Sequence, residues 1–432
     1  MKIPQMPTYT DEDEKMAWEM ARDMDVIDAV FACNKKYLHW EEIKYRKLPA
    51  DPKHIWFLMK VFRARNTRSV GFGPWKFRFA LDDECWKKLH LLDTSAGGSL
   101  ASMIDAVGQD KERYIVNSLM EEAIASSQIE GAATTRVAAK QMLQERKKPR
   151  NRDELMILNN YLTMKEVAGL RGEPLSPELV RRLHAMITRG TLEDPAYEGA
   201  FRENDDIRVV DSSGAVLHVP PPHEEIEGLV DELCAFANGE EEEFIHPVVK
   251  GIVLHFLMGY IHPFNDGNGR CARTLFYWYV LKQDYWLFEY MAISRAIRES
   301  RGQYKRAYLY TETDENDLTY FIRYNLDVIE KTIEEVRAYI KEQQEKQIEA
   351  LHLIEHAGDL NLRQVEILKM LMRRPERPMT IKEVMEVFGV AYGTARSDLL
   401  RLAGAGYVEK RTMGKEFVFL YGGSGGAPPS RP

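Results

Sequence analysis

Cysteine is scarce and scattered in this 432-residue chain: Cys33, Cys85, Cys234 and Cys271 are the only four, and no two form a CxxC pair. That spacing offers neither a zinc framework nor a disulfide scaffold, so the fold is expected to rest on a packed core in a reducing compartment. Long apolar runs are missing as well. No stretch reaches ~18 uninterrupted apolar residues, and the opening MKIPQMPTYTDEDEK lacks both a basic and an apolar region, so neither a spanning helix nor a secretory leader is expected. A cytoplasmic protein with no membrane partner fits. Net basic charge is lacking too: at −8 the chain is no general binder of nucleic acid or anionic lipid, although one local basic surface is compatible with that total. No internal repeat is present. What remains is a composition 44% hydrophobic, over a length suited to about two to four domains, which implies a globular protein with a sizeable core.

Helical periodicity dominates. Apolar positions in MAWEMARDMDVIDAVFACNKKYLHW recur at spacings of three and four, and 1–109 is expected to be a helical region punctuated by SAGGSL. KERYIVNSLMEEAIASSQIE, within 111–131 and capped by Gly131, reads as an amphipathic helix, followed by a second in TTRVAAKQMLQERKK. Between 207 and 219 the pattern changes to IRVV, DSSG and AVLHV, two β-branched runs around a turn. This predicts a hairpin carried by Ile207, Val209, Val210, Val216 and Leu217. PPP ends it, and EEIEGLVDELCAFAN opens a helix with acids in its first turn, where the dipole favours them. NDLTYFIRYNLDVIEKTIEEVRAYIKEQQEKQIEALHLIEH reads as one long connector, with KEQQEKQ a solvated face and 346–359 a helical linker to a separate unit at 360–421. GGSGGAPPSRP, 422–432, is expected to be flexible and is left out of the fold reading.

HPVVKGIVLHFLMGY and RCARTLFYWYVLKQ are both apolar enough to be core helices, and HPFNDGNGR, 262–270, joins them. A loop held at both ends is a good place to fix reactive groups. Asp266-Gly267-Asn268-Gly269-Arg270 opens a helix, so free backbone N–H groups and the dipole form an anion site, and the glycines let a phosphate come close. Arg270 and Arg273, three apart, can grip successive phosphates. A carboxylate among such donors would be repelled by the ligand unless a cation lay between, which makes Asp266 a candidate Mg²⁺ ligand. His262 is the candidate general base, with a pKa suited to neutral pH. Phe264 is expected to anchor the loop in the core, and His255, Tyr277, Trp278 and Tyr279 are read as core packing. Base, metal ligand, anion hole and two arginines together suit transfer of part of a nucleotide to a hydroxyl.

HPFNDGNGRCAR is similar to the HxFx(D/E)GNGRxxR motif of the Fic family, and the resemblance extends over roughly 110–345 through the hairpin, HPVVKGIVLHF, SRAIRESRGQY and NDLTYFI. It implies a mainly α fold, a Fic-type helical bundle with a small β-hairpin flap. It also implies protein adenylyltransferase activity, in which the histidine, here His262, deprotonates a Ser, Thr or Tyr hydroxyl of a protein target that attacks the α-phosphate of ATP. Asp266 would hold Mg²⁺, Gly267, Asn268 and Gly269 would form the anion hole, Arg270 would bind the β-phosphate and Arg273 the γ-phosphate. Tyr304 is placed near the base, and the hairpin at 207–219 would align the target as an added strand. SSQIEG resembles the family's inhibitory pattern (S/T)xxxE(G/N), which assigns Ser126, Glu130 and Gly131 to a brake in which Glu130 competes with the γ-phosphate for Arg273. The same glutamate supports removal of AMP in some relatives, so a de-AMPylase stays open, and self-modification is within reach.

The C-terminal unit reads as LRQVEILKMLMRR, then a capping box Thr380 to Glu383 opening TIKEVMEVFG, then YGTARSDLLRLAGAG and a YVEKR/EFVFLY hairpin. Three helices and a two-stranded wing resemble a winged helix-turn-helix with AYGTARSDLLRL as recognition helix. Between 360 and 420 eleven Lys and Arg face seven Asp and Glu, which suits DNA. The helix offers only Arg396 and Ser397 for reading bases, which suits protein docking or a homodimer. Both stay open here, as does a DNA-binding regulator whose Fic-like core senses nucleotide without turning it over.

Overall fold

The computed structural model describes residues 3–97, 110–211, 213–239, 244–356, 360–413 and 416–422. The end of the SAGGSL break, Ser212 in the hairpin turn, 357–359 of the linker and the tail from Gly423 lie outside these described residues. Two compact units divide at Ala338 and Tyr339, inside the long helix Thr319–His356. No helix among the described residues is long and apolar enough to cross a membrane.

Within the larger unit, the helices Pro247–Ile261 and Asn268–Lys282 pack against each other as the central pair. Every residue from Val248 to Met258 is buried, as are all from Arg270 to Leu281, which is what helices apolar on all sides require. Arg152–Leu170 packs on the second of these helices and also on Asp110–Ile129 and Pro177–Thr188, while Ile226–Asn238 covers the first. The central pair is thus clamped on several sides, and the short loop between its members has little freedom. Phe264, Tyr277 and Trp278 are fully buried, and His255 Nε2 lies 2.8 Å from the Tyr304 hydroxyl in the core.

The N-terminal stretch is not helical throughout. Helices Asp11–Met20, Met24–Lys35 and Pro52–Ala64 share a small core, but Arg68–Phe72 and Trp75–Phe79 form an antiparallel hairpin in register Val70 to Phe77. Its inward residues Val70, Phe72, Phe77 and Phe79 are buried, and the turn needs Gly73, whose φ is +54°. Phe77 meets Phe256 and Tyr260 of the central helix at 5.8 and 5.4 Å. A missed hairpin therefore braces the helix that leads into the candidate site. Helix Asp83–Gly97 also runs through the first residues of the expected SAGGSL break.

The smaller unit holds helices Leu362–Arg373, Ile381–Phe388 and Tyr392–Gly404 around Ile367, Leu371, Ala395, Leu399 and Phe419. The Thr380–Glu383 capping box is formed on both sides, and Gly389 at φ +63° turns the chain into the next helix. Its sheet has three strands rather than two: Met379–Thr380 joins Glu416–Tyr421, which lies between it and Val408–Met413. Asp398, buried, accepts from Arg363 Nε at 2.5 Å and Gln364 Nε2 at 2.8 Å, so it locks the third helix to the first.

Candidate active site

His262 ends the first central helix in a left-handed conformation, φ +50°, rare for a residue with a side chain. Its Nδ1 lies 3.2 Å from the Gly259 carbonyl. A carbonyl only accepts, so Nδ1 carries the proton and Nε2 keeps its lone pair. Burial pushes the pKa down to about 4, and the charges of His218 and Arg202 pull the same way against the Gly259 carbonyl and Glu130. The expectation of a value suited to neutral pH is therefore corrected: the ring is neutral, and basic at Nε2, throughout the neutral range.

Three residues hold the loop, and two of them escaped sequence reasoning. Asn268 spends its side chain on the backbone of Phe264, accepting from its N–H at 2.9 Å and donating to its carbonyl at 2.7 Å. That pairing fixes the side chain on the loop's own backbone, so its backbone N–H is the group the helix start offers to an anion. His184 accepts the Gly199 N–H on Nδ1 at 3.0 Å, so its Nε2 donates to the Asp266 carbonyl at 2.8 Å, and its ring stacks on Phe264 at 3.6 Å. Burial holds that ring neutral, with a pKa lowered to about 4. Arg202, also buried, donates its N–H to the Pro263 carbonyl at 2.8 Å and Nε to the His262 carbonyl at 3.2 Å. The sequence marks neither, because their partners lie 60 to 82 positions away.

The second central helix opens at Asn268, with Gly267 at φ +83° before it. A Cβ on Gly267 would strike Thr188 and His184, so this glycine serves close packing rather than ligand approach. Gly269 is the open one, and its face is taken: a Cβ there would lie 2.1 Å from Oε1 of Glu130. The same oxygen accepts from Arg273 Nη2 at 2.8 Å. Arg273 donates further to the Ser126 hydroxyl at 2.9 Å and the Ser126 carbonyl at 3.0 Å. Helix Asp110–Ile129 brings these groups in, and Gly131 at φ +103° turns the chain just beyond Glu130. Arg301 caps that helix by donating to the Ile129 carbonyl at 2.6 Å, another contact the sequence does not announce. Burial opposes ionisation of Glu130, yet Arg273, then Arg270 and His262, outweigh it and hold the carboxyl below its ordinary value.

Arg270 is different. It is fully buried and donates only Nη1, to the Ile187 carbonyl at 3.3 Å, while Nε and Nη2 have no hydrogen-bond partner among the described residues. A buried guanidinium with two idle donors is costly unless an anion completes it. Asp266 stands 3.9 Å from its Nη2 and 3.1 Å from Arg152 Nη2, and its Oδ1 accepts the Gly267 N–H at 2.6 Å. No cluster of three metal-ligating side chains exists among the described residues. Asp266 is a lone carboxylate whose oxygens meet Arg152 and the Gly267 N–H, and Mg²⁺ beside it would draw most of its ligands from phosphate oxygens and water.

A pocket of about 230 Å³ joins His262, Gly269, Glu130, Arg273 and Tyr304. The flap, Val209–Val210 paired with Val216–His218, borders it through Val209, Val210, Leu217 and His218, whereas Ile207 and Val216 lie off it. Asp266, Gly267, Asn268 and Arg270 also lie outside its lining. Residues 174–280, which carry this loop and the flap, match the family model described as Fic/DOC family. The chain carries a Fic/DOC domain. Curated relatives of that domain named protein adenylyltransferase Fic are 28% identical over 174 residues in Drosophila mojavensis and 25% identical over 176 residues in Aedes aegypti. These matches cover 40% and 41% of this chain and 29% of each relative. Among solved structures, a Fic family protein from Desulfovibrio desulfuricans is similar with TM-score 0.51 at 18% identity, covering 79% of this chain and 97% of its own. A chain of Fic-1 from C. elegans has TM-score 0.50 at 15% identity, covering 78% and 89%. At these identities the likeness is one of fold, and it places the Fic domain within a larger shared helical architecture. Outside the Fic domain, residues 363–416 match a DeoR-like helix-turn-helix domain, in keeping with the winged helix described above.

Proposed function

We propose that the protein is an ATP-dependent adenylyltransferase that moves AMP onto a Ser, Thr or Tyr hydroxyl of a protein target, itself included, and that Glu130 restrains it. One observation carries this reading: a neutral His262 with Nε2 free shares a pocket with Arg273, whose guanidinium is already occupied by a carboxylate in place of a phosphate. His262 Nε2 takes the hydroxyl proton, the oxygen forms its bond to the α-phosphorus, and the bond to pyrophosphate breaks. Arg270 and the backbone N–H groups of Asn268 and Gly269 receive the β-phosphate, and Arg273, once released, the γ-phosphate. Mg²⁺ on Asp266 would neutralise phosphate charge. The flap, short and edge-exposed, suits alignment of a target segment as an added strand. The names of the Fic relatives support adenylyl transfer as the chemistry.

Incubation with α-labelled ATP and cell lysate tests it. Labelled protein is expected with Glu130→Gly and is expected to vanish with Glu130→Gly/His262→Ala, since general-base catalysis is worth about 10² to 10⁴ in rate. Equal labelling by both would remove His262 from the mechanism.

For the C-terminal unit we infer contact with DNA. Arg396 and Ser397 are exposed on Tyr392–Gly404, while Asp398 behind them is buried, so the helix turns its base-reading side chains outward.

A further inference from the structure

His218 closes the second flap strand, and both of its ring nitrogens face acceptors. Nδ1 lies 2.8 Å from Oε2 of Glu312, on helix Arg301–Thr313, and Nε2 lies 2.8 Å from the Tyr260 carbonyl, in the last turn before His262. A carboxylate and a carbonyl cannot donate, so both bonds exist together only in the imidazolium form. The flap's strand pairing is slight, two residues against three with an irregularity in the ladder, and Asp211 ties only its turn by accepting from the Ser213 and Ala215 N–H groups. So short a hairpin is not stable by itself.

We infer that protonated His218 is the positioning residue that docks the flap, tying its second strand at once to the pocket helix and to the backbone just ahead of the base. The inference rests on the adenylyltransferase reading only for its effect on target binding. The groups acting on His218 are Glu312, the Tyr260 carbonyl and ring, the latter centred 4.9 Å away, Arg202 and His262. Burial opposes its protonation, but Glu312 and the Tyr260 carbonyl prevail and hold its pKa above the ordinary 6.5. The sign follows: the clamp is complete below that ordinary value and is lost as pH rises through the raised one, when a nitrogen lone pair comes to face an acceptor. Target affinity falls with it, whereas the base stays neutral, since loss of the His218 charge only eases a pKa that burial holds low.

Hydrogen exchange in the full-length protein tests the clamp, with the flap peptide at 207–219 corrected for intrinsic rate and the Pro247–Ile261 helix as folding control. Between about pH 6 and about pH 9 flap protection should fall about tenfold, the weight of one hydrogen bond to a charged group. Glu312→Gln should move that loss to lower pH, and His218→Gln should give low protection at every pH. In the Glu130→Gly background, His218→Gln should raise KM for an acceptor protein about tenfold, with the loss falling on KM rather than kcat. Protection independent of pH in the parent, or an unmoved transition in Glu312→Gln, overturns the clamp. Exchange needs no catalysis, so absence of AMP transfer in every form would overturn the adenylyltransferase reading and leave the clamp to be decided by exchange.

Discussion

Nη2 of Arg273 lies 2.8 Å from Oε1 of Glu130, although 143 positions separate the two residues in sequence. The pair is set inside the anion cradle, because that carboxylate also covers the face of Gly269. Its side chains keep 3% and 28% of their surface, so the contact is shielded enough to matter and open enough to be displaced by a competing anion.

Ser126 shares the hold on Arg273 through its hydroxyl and its carbonyl. Ser126→Ala removes the first and keeps the second. A net loss of about 1 kcal/mol should relax the restraint several-fold, less than Glu130→Gly does. Auto-modification rates measured side by side check the order; a parent-like rate would mean that the hydroxyl contributes nothing to the restraint.

The base should show no acid limb near the ordinary histidine value of 6.5, because burial has moved His262 to about 4. Removing the Glu130 carboxylate, which raises that value, should carry it lower still. AMP transfer by Glu130→Gly, as kcat/KM across about pH 5 to 8, is therefore expected to be flat on its acid side as far as the base is concerned. Glu130 itself titrates below its ordinary 4.5, so its stabilising contact with Arg273 is complete above that value and weakens only as pH falls beneath it. The parent should not gain activity through mild acidification.

His184→Ala removes a donor to the Asp266 carbonyl, an acceptor for Gly199 and a ring stacked on Phe264. A loss of about 2 to 4 kcal/mol in stability is expected, with weaker Mg²⁺ dependence of nucleotide binding because the loop carrying Asp266 loosens. Thermal denaturation and a Mg²⁺ titration of nucleotide binding read the two effects. Unchanged values in both would show that His184 does not brace the loop.

These supports explain which parts were legible beforehand. HPFNDGNGR could be placed between two helices because its apolar flanks and glycines obey local rules, and the Thr380–Glu383 box could be read for the same reason. The reach of Glu130 to Arg273 came from a motif, not from spacing, and geometry now supplies its physical content. His184, Arg202 and His218 stayed silent because each acts on backbone carbonyls, which carry no residue-specific signal, across 42 to 82 positions. The Arg68–Phe79 hairpin is announced only by Gly73-Pro74 and the alternation in WKFRF, a five-residue signal that the helical periodicity on both sides outweighs.

Arg396 is exposed and unneeded for the core of the smaller unit. If the helix Tyr392–Gly404 reads DNA, Arg396→Ala should cost about 1 to 3 kcal/mol in a gel shift at low salt. Self-labelling by the Glu130→Gly protein should be unaltered. A shift that no fragment of DNA produces even at low salt would leave protein docking as the role of this unit.

The restraint by Glu130 is tested most directly by AMP incorporation from α-labelled ATP in the parent, Glu130→Gly, Arg273→Ala and the double variant. A competing pair worth about 1.4 kcal/mol conceals a tenfold rate, so Glu130→Gly should label at least about tenfold more than the parent, and the double variant should lose that gain because Arg273 is what the glutamate withholds. If Glu130→Gly labels no more than the parent, the 2.8 Å contact between Glu130 and Arg273 is structural and restrains nothing.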